Sequence, residues 1–300
     1  MRKKRDQERR PEENQEKSAN RSRRRFPIST LLLLLVFLVG LCMLLYPSVS
    51  DIINEKNHSR VIQSHQQALD EMPEEELTDL LTQARQYNAS LLDNPKGWFL
   101  TSEEEELYRS LLDPFGSGMM GYLEIQKIGV LLPIYHGIDD AVLQVGVGHV
   151  ENSSLPVGGE SSHCVLSGHR GLPSSRLLTD LDQMETGDVF YLHVLNQTLA
   201  YQVDDIQVVE PQVVESLEIV PGEDYCTLVT CTPYGVNTHR LLVRGTRIPY
   251  TPPQEEQSQQ AHTVPEVTRT VDYLPFALAA GLVVLLVGLL IYDHKKSRKE

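Results

Sequence analysis

The chain has 300 residues, the length of two ordinary domains, with 27 Lys/Arg against 41 Asp/Glu and a formal net charge of −14. The charge is unevenly spread: residues 1–25 carry a net +6, residues 293–300 a net +2, and everything between them a net −22. A centre that acidic excludes nucleic-acid binding, and four cysteines with no Cys-x-x-Cys, His-x-x-x-His or acidic Ca loop give metal binding no support.

Residues 1–25 hold 11 basic and 5 acidic side chains. Phe26 to Ser50 then carries no charge and is centred on Leu31-Leu-Leu-Leu-Leu-Val-Phe-Leu-Val. That is long enough for a helix to cross about 30 Å of hydrocarbon. Basic flanks stay in the cytoplasm, and anionic headgroups account for them better than nucleic acid does. A cleaved signal peptide has the same basic start, but no small-x-small cleavage site follows Tyr46, so an uncleaved anchor is the reading.

From Asp51 to about Leu92 apolar residues (Val61, Leu69, Met72, Leu77, Leu80, Leu81, Ala84) recur at helical spacing. Pro73 divides the stretch into two helices, and Glu74-Glu-Glu76 suits the first turn of the second. A spacer above the membrane and a brace on the next domain are both compatible with this pattern. Ser102-Glu-Glu-Glu-Glu-Leu107 starts a further short helix, and Asp113-Pro114-Phe115-Gly116 reads as a turn or linker.

Between Gly121 and Arg247 short strands alternate with turns: Tyr122–Ile125, Val130–Tyr135, His163–Leu166, Val189–Val194, Leu199–Val203 and Thr227–Thr230. A hairpin is expected around Asn196-Gln197. Many short strands at regular spacing indicate an all-β barrel or sandwich.

Two strand ends carry reactive groups. Thr227-Leu-Val-Thr-Cys231 delivers a thiol, Pro233 and Gly235 turn the chain, and Arg240 opens the next strand nine residues later. Such a hairpin sets a fixed positive charge beside the sulfur, where it favours the thiolate. The alternative is a buried structural cysteine. Upstream, Cys164-Val-Leu-Ser-Gly-His169 brings an imidazole to another strand end, the separated Cys/His pattern of a thiol enzyme. Free cysteine titrates near 8.5 and histidine near 6.5. Cys164 and Cys226 lie in apolar strands, as a disulfide or as core filling. Thr230 faces substrate, supports the thiol loop or is a plain strand residue. His136, His149 and His163 read as core or turn histidines, and His239 points away from the Arg240 face.

Beyond Tyr250, Thr251-Pro-Pro-Gln-Glu-Glu-Gln-Ser-Gln-Gln is a flexible tether. Tyr273 to Tyr292 is again uncharged, followed by Lys295-Lys-Ser-Arg-Lys299. A hydrophobic segment with a basic tail also ends a cell-wall sorting signal, but Leu274-Pro-Phe-Ala-Leu278 lacks the Thr-Gly, so this segment reads as a second anchor.

Thr230-Cys231 with Arg240, together with Ser167-Gly168-His169-Arg170-Gly171, resembles the sortase family of Gram-positive transpeptidases. Pro133-Ile-Tyr-His-Gly137, Gly146-Val-Gly-His149, Ser154-Leu-Pro-Val-Gly-Gly159 and Thr232-Pro-Tyr-Gly-Val-Asn-Thr-His239 are similar to its class C, pilus-assembling branch. The resemblance covers roughly residues 91–245. It implies a mainly β fold: an eight-stranded sortase-type β-barrel with N-terminal helices and two transmembrane helices. It also implies Cys231 as nucleophile, His169 as acid and Arg240 as oxyanion or carbonyl partner, with no cofactor. Asp113, Pro114 and Phe115 match a class C lid in type, so that an acidic group is expected to engage Arg240 while a ring covers the sulfur. The implied partners are the membrane and pilin subunits bearing Leu-Pro-x-Thr-Gly-like signals.

The expected organisation is a cytoplasmic basic tail (1–25), a transmembrane helix (26–50), an extracellular helical region (51–110), a lid loop (111–118), the catalytic barrel (119–248), a flexible linker (249–272), a second transmembrane helix (273–292) and a cytoplasmic tail (293–300). Two alternatives stand beside pilin polymerisation: a sortase that anchors proteins to peptidoglycan, and a non-catalytic membrane-tethered scaffold in which Cys231 is structural.

Overall fold

The computed structural model describes residues 28–93, 101–250, 264–265 and 273–296. Residues 1–25, most of the linker and the last four residues lie outside them. The chain divides into two units, Met1–Cys42 and Met43–Glu300. In the first, the described residues are the apolar start of a helix.

That helix, α1, runs over Ile28–Asp70 without a break at the end of the apolar run, and Pro47 lies inside it. It ends before Pro73, as expected, and α2 follows over Glu74–Asp93 with three glutamates in its first turn. The third helix, α3 (Ser102–Ser110), is closed by a capping box in which Thr101 and Glu104 satisfy each other's exposed amides.

The strands are β1 (Met119–Ile125), β2 (Val130–His136), β3 (Val147–His149), β4 (Ser162–Ser167), β5 (Val189–Val194), β6 (Gln197–Val209), β7 (Asp224–Thr232) and β8 (His239–Ile248), with a four-residue helix, α4 (Asp140–Leu143), before β3. They close into a barrel in the order β1-β2-β3-β4-β7-β8-β6-β5. The eight-stranded barrel implied by the resemblance is therefore present. Most neighbours are antiparallel, while β2–β3 and β4–β7 are parallel. The β5–β6 hairpin pairs Val194 with Gln197, so its two-residue turn is Leu195-Asn196, one residue before the expected centre.

Alternation decides the interior. Leu123, Ile125, Ile134, Leu166, Phe190, Leu192, Tyr201, Val203, Leu228 and Val243 are all buried in one cluster. The described helices between residues 51 and 110 pack against this barrel. On α2 and α3, Leu77, Leu81, Ala84, Tyr87, Leu91 and Tyr108 join the same core. Asn88 donates to Leu155 O at 3.1 Å and accepts from Leu155 N at 2.7 Å, so a buried amide side chain stands in for a strand partner. On α1, Ile62 is fully buried against Met119 and Tyr122, which contributes about 2–3 kcal/mol. The last helix, α5, spans Leu274–Lys296 and is apolar through Tyr292.

Candidate active site

Strand register brings Cys231 together with two of its expected partners. On β7, Cys226 and Leu228 belong to the barrel core, so Val229 and Cys231 project from the outer face. In the antiparallel β7–β8 ladder Cys231 is the direct partner of Arg240. Directly opposed residues share a face of the sheet. On the other side, the parallel β4–β7 ladder ends with Ser167 opposite Val229. The Gly168 amide continues it by donating to Val229 O at 3.0 Å. His169 and Cys231 each stand two residues past that last pair. By backbone register, His169, just past the end of β4, and Arg240 on β8 therefore flank the position of Cys231 at one rim of the barrel.

The turn after Cys231 holds Arg240 back. Its Nη1 donates to His239 O at 3.1 Å and to Asn237 O at 3.4 Å. His239 itself pairs in register with Thr232, and its Nδ1 is hydrogen-bonded to Thr238 Oγ1 at 2.9 Å, outside the Cys231–Arg240 row. Below the thiol on the same face lies an apolar patch of Val165, Val229 and Leu242, joined by Val150, Val209 and Leu217. These side chains are buried, covered by Val150, Val209 and Leu217, so they anchor the outer face of the strands beneath the thiol.

Thr230 is buried, at 1% exposure, and its hydroxyl donates to Gly168 O at 2.8 Å. Of the parts considered for it, the structure favours support of the site over contact with substrate. Gly168 has no room for a side chain: a Cβ there would lie 2.7 Å from Leu178 Cδ1. Burial of β4 and β7 against this packing fixes where His169 emerges.

The place of Arg170 is not legible from its position beside His169. Its largely buried side chain donates through Nη1 to Thr232 Oγ1 at 3.3 Å and through Nη2 to Asp182, with the guanidinium 5.9 Å from the centre of the Tyr234 ring. It therefore ties the residue after His169 to the residue after Cys231.

The described contacts of Asp113 and Phe115 are made within their own turn and with α1. The Asp113 carboxylate accepts from its own turn, from Ser117 N and Gly118 N at 2.8 Å each. The Phe115 ring packs edge-on against His65 of α1, with centroids 5.4 Å apart. Neither the expected contact with Arg240 nor cover of the sulfur is among the described contacts. An aspartate before a Pro-containing turn satisfies the local amides first, and the turn leads straight into β1, four strands from β7 in the sheet.

Cys164 and Cys226 are direct partners in the β4–β7 ladder; both are buried and carry free thiols. Burial pushes the Cys226 thiol well up. His136, His149 and His163 are buried and bonded, as core histidines should be.

A Sortase domain model matches residues 123–248. The crystal structure of sortase C1 from Streptococcus agalactiae is 49% identical, covers 64% of this chain and 100% of its own, and superposes with a TM-score of 0.62. Streptococcus pneumoniae Sortase C is 46% identical, over 65% of this chain and 99% of its own, with a TM-score of 0.58. The curated Sortase A of Streptococcus agalactiae serotype III (strain NEM316) is 29% identical over 130 residues, 42% of this chain and 52% of that protein. The chain thus spans about half the length of that curated relative. With the motifs and the barrel, these likenesses establish that the chain belongs to the sortase family, within its class C branch.

Proposed function

We propose that this protein is a membrane-anchored cysteine transpeptidase that joins pilin subunits. The observation that carries the proposal is the register that sets Cys231 beside Arg240 and level with His169.

In the first step Cys231 attacks, as a thiolate whose proton His169 has taken, the Thr–Gly carbonyl of a Leu-Pro-x-Thr-Gly-like signal. A carbon–sulfur bond forms, and Arg240, freed from its turn carbonyls, stabilises the oxyanion. The C–N bond then breaks as His169 gives its proton to the leaving glycine amine. In the second step a lysine amine of the next subunit attacks the thioester, His169 takes its proton, and an isopeptide bond replaces the carbon–sulfur bond. The Asp113–Phe115 turn is assigned no step here, since the bonds described for it are local. The pilin substrate follows from likeness: the structure of Streptococcus pneumoniae Sortase C bears on pilin substrate specificity.

Two helices, within residues 28–70 and 274–296, are apolar enough to span a bilayer. With the net +6 and +2 flanks inside, the barrel faces the exterior. The test is to incubate the detergent-solubilised full chain with a Leu-Pro-x-Thr-Gly pilin and follow it by mass spectrometry. A thioacyl adduct on Cys231 and covalent subunit ladders, both absent from Cys231→Ala, are expected. An adduct resolved only by peptidoglycan amines would make this an anchoring sortase, and a folded chain with no adduct would leave the scaffold reading.

A further inference from the structure

Two contacts join the loop after His169 to the first charged turn after the apolar run. Asp51 is the first charged residue beyond Phe26–Ser50. Its Oδ1 accepts from Arg176 N at 2.8 Å, and one helical step on, Asn54 Nδ2 donates to Ser174 O at 2.8 Å. In a bilayer the charged residues begin where hydrocarbon gives way to headgroups, a layer of roughly 5–8 Å on each side. One helical turn rises about 5.4 Å, so the turn from Asp51 to Glu55 lies within or just above that layer.

A cavity of about 610 Å³ extends the same connection. Among its lining residues are Pro47 and Asp51 of α1, Gly171 and Arg176 of the loop after His169, Tyr234 of the turn after Cys231, and Pro275, the second residue of α5. The exit ends of both apolar helices therefore border the same space as the two loops that leave the site. The turn after Cys231 also exposes two apolar residues, Tyr234 at 59% and Val236 at 64%. A tyrosine with an aliphatic neighbour suits the boundary between hydrocarbon and water, because its ring is apolar and its hydroxyl remains solvated.

From these contacts we infer that the Cys231 cleft opens at the bilayer surface, with the turn bearing Tyr234 and Val236 seated in the lipid headgroup layer. A sorting signal that ends in a hydrophobic segment and a basic tail is held at that same height, so the rim meets its substrate without leaving the membrane. The inference rests on the reading of the two apolar helices as spans, given under the proposed function.

The full chain is reconstituted into phosphatidylcholine–phosphatidylglycerol vesicles in a Trp98→Phe background, which removes the single native tryptophan. Val236→Trp then places one indole in the turn, and Tyr234→Trp gives a second probe by a conservative aromatic exchange. Glu160→Trp is the reference; Glu160 is exposed and lies just before β4, at the opposite end of that strand from His169. With phospholipids brominated near the headgroup end of the acyl chain, V236W and Y234W should lose emission roughly twofold while E160W changes little. Equal quenching at all three positions would overturn the inference. So would unquenched V236W and Y234W, whether the turn meets water, a second copy or a soluble pilin. Release of the chain by alkaline carbonate would overturn the span reading and this inference with it. None of these readouts depends on turnover, so a failed pilin assay leaves them unaffected.

Discussion

The Thr230 hydroxyl donates to the Gly168 carbonyl at 2.8 Å, a buried link between the residue before Cys231 and the residue before His169. The two reactive groups come from strands about 60 residues apart in sequence, and their spacing depends on ties of this kind. A Val at position 230 keeps the shape and removes the donor. Thr230→Val should cost about 1–3 kcal/mol in urea unfolding, because it leaves a buried carbonyl unpaired. It should also lower kcat/KM for peptide cleavage roughly 10- to 100-fold by shifting His169 against Cys231. A residue that merely touched substrate would instead raise KM and leave stability unchanged.

Arg170 supplies a second tie, through Thr232 and Asp182. Asp182 is about half exposed, so solvent screens the ion pair and its worth to stability is about 1 kcal/mol or less. The catalytic effect should be larger than the structural one. Arg170→Ala is expected to lower kcat roughly tenfold with KM little changed, since the side chain positions the site without touching the reacting atoms. Arg170→Lys should recover part of that loss, because one ammonium reaches Thr232 or Asp182 but does not fork to both.

Much of this site was legible in the sequence, and the parts that were not share a cause. Apolar runs ending in glycine or a turn marked β4 and β7, and with them Cys231 and His169. Arg240 was legible because a hairpin fixes its register to the thiol. Thr230 and Arg170 take their parts from bonds across about 60 residues or to a distant loop, and no local pattern encodes such bonds. At three residues, β3 is too short to show alternation. The helical stripe of residues 51–92 was equally legible, but whether it faces a barrel depends on partners such as Met119 and Leu155. The part played by the turn at Asp113 is not legible, because residue type alone does not say which amides a carboxylate will meet.

His163 should make the fold sensitive to mild acid. It is buried, with Nδ1–H donating to Glu218 O at 2.8 Å and Nε2 accepting from Thr227 Oγ1 at 2.7 Å, the pattern of a neutral ring. Burial lowers its pKa first, and the nearby Arg244 charge lowers it further, against the pull of the Glu218 carbonyl. The unfolded chain therefore takes up this proton near pH 6.5, before the folded one does. Stability is complete above about 6.5 and is lost as pH falls from there toward the lowered folded value. Burial also lowers His65 and His136, which adds to the slope. The urea midpoint should drop between about pH 7.5 and about 5.5, and His163→Asn should flatten that drop by about one proton.

Asp113 provides the sharpest choice between a lid and an anchoring turn. As a lid, the segment would hold Arg240 and cover the sulfur, so Asp113→Ala would open the cleft and speed thioacyl formation. As a turn, it spends its carboxylate on Ser117 N and Gly118 N and its aromatic ring on His65. Removing the carboxylate then loosens the entry to β1 and leaves Cys231 as accessible as before. Both amides lie near solvent, so water replaces the lost acceptor and the cost should be about 1 kcal/mol. The expected result is a modestly lower melting temperature with the single-turnover rate of Cys231 acylation changed less than about twofold. A clear acceleration would mean that this turn reaches the cleft and restrains the enzyme after all.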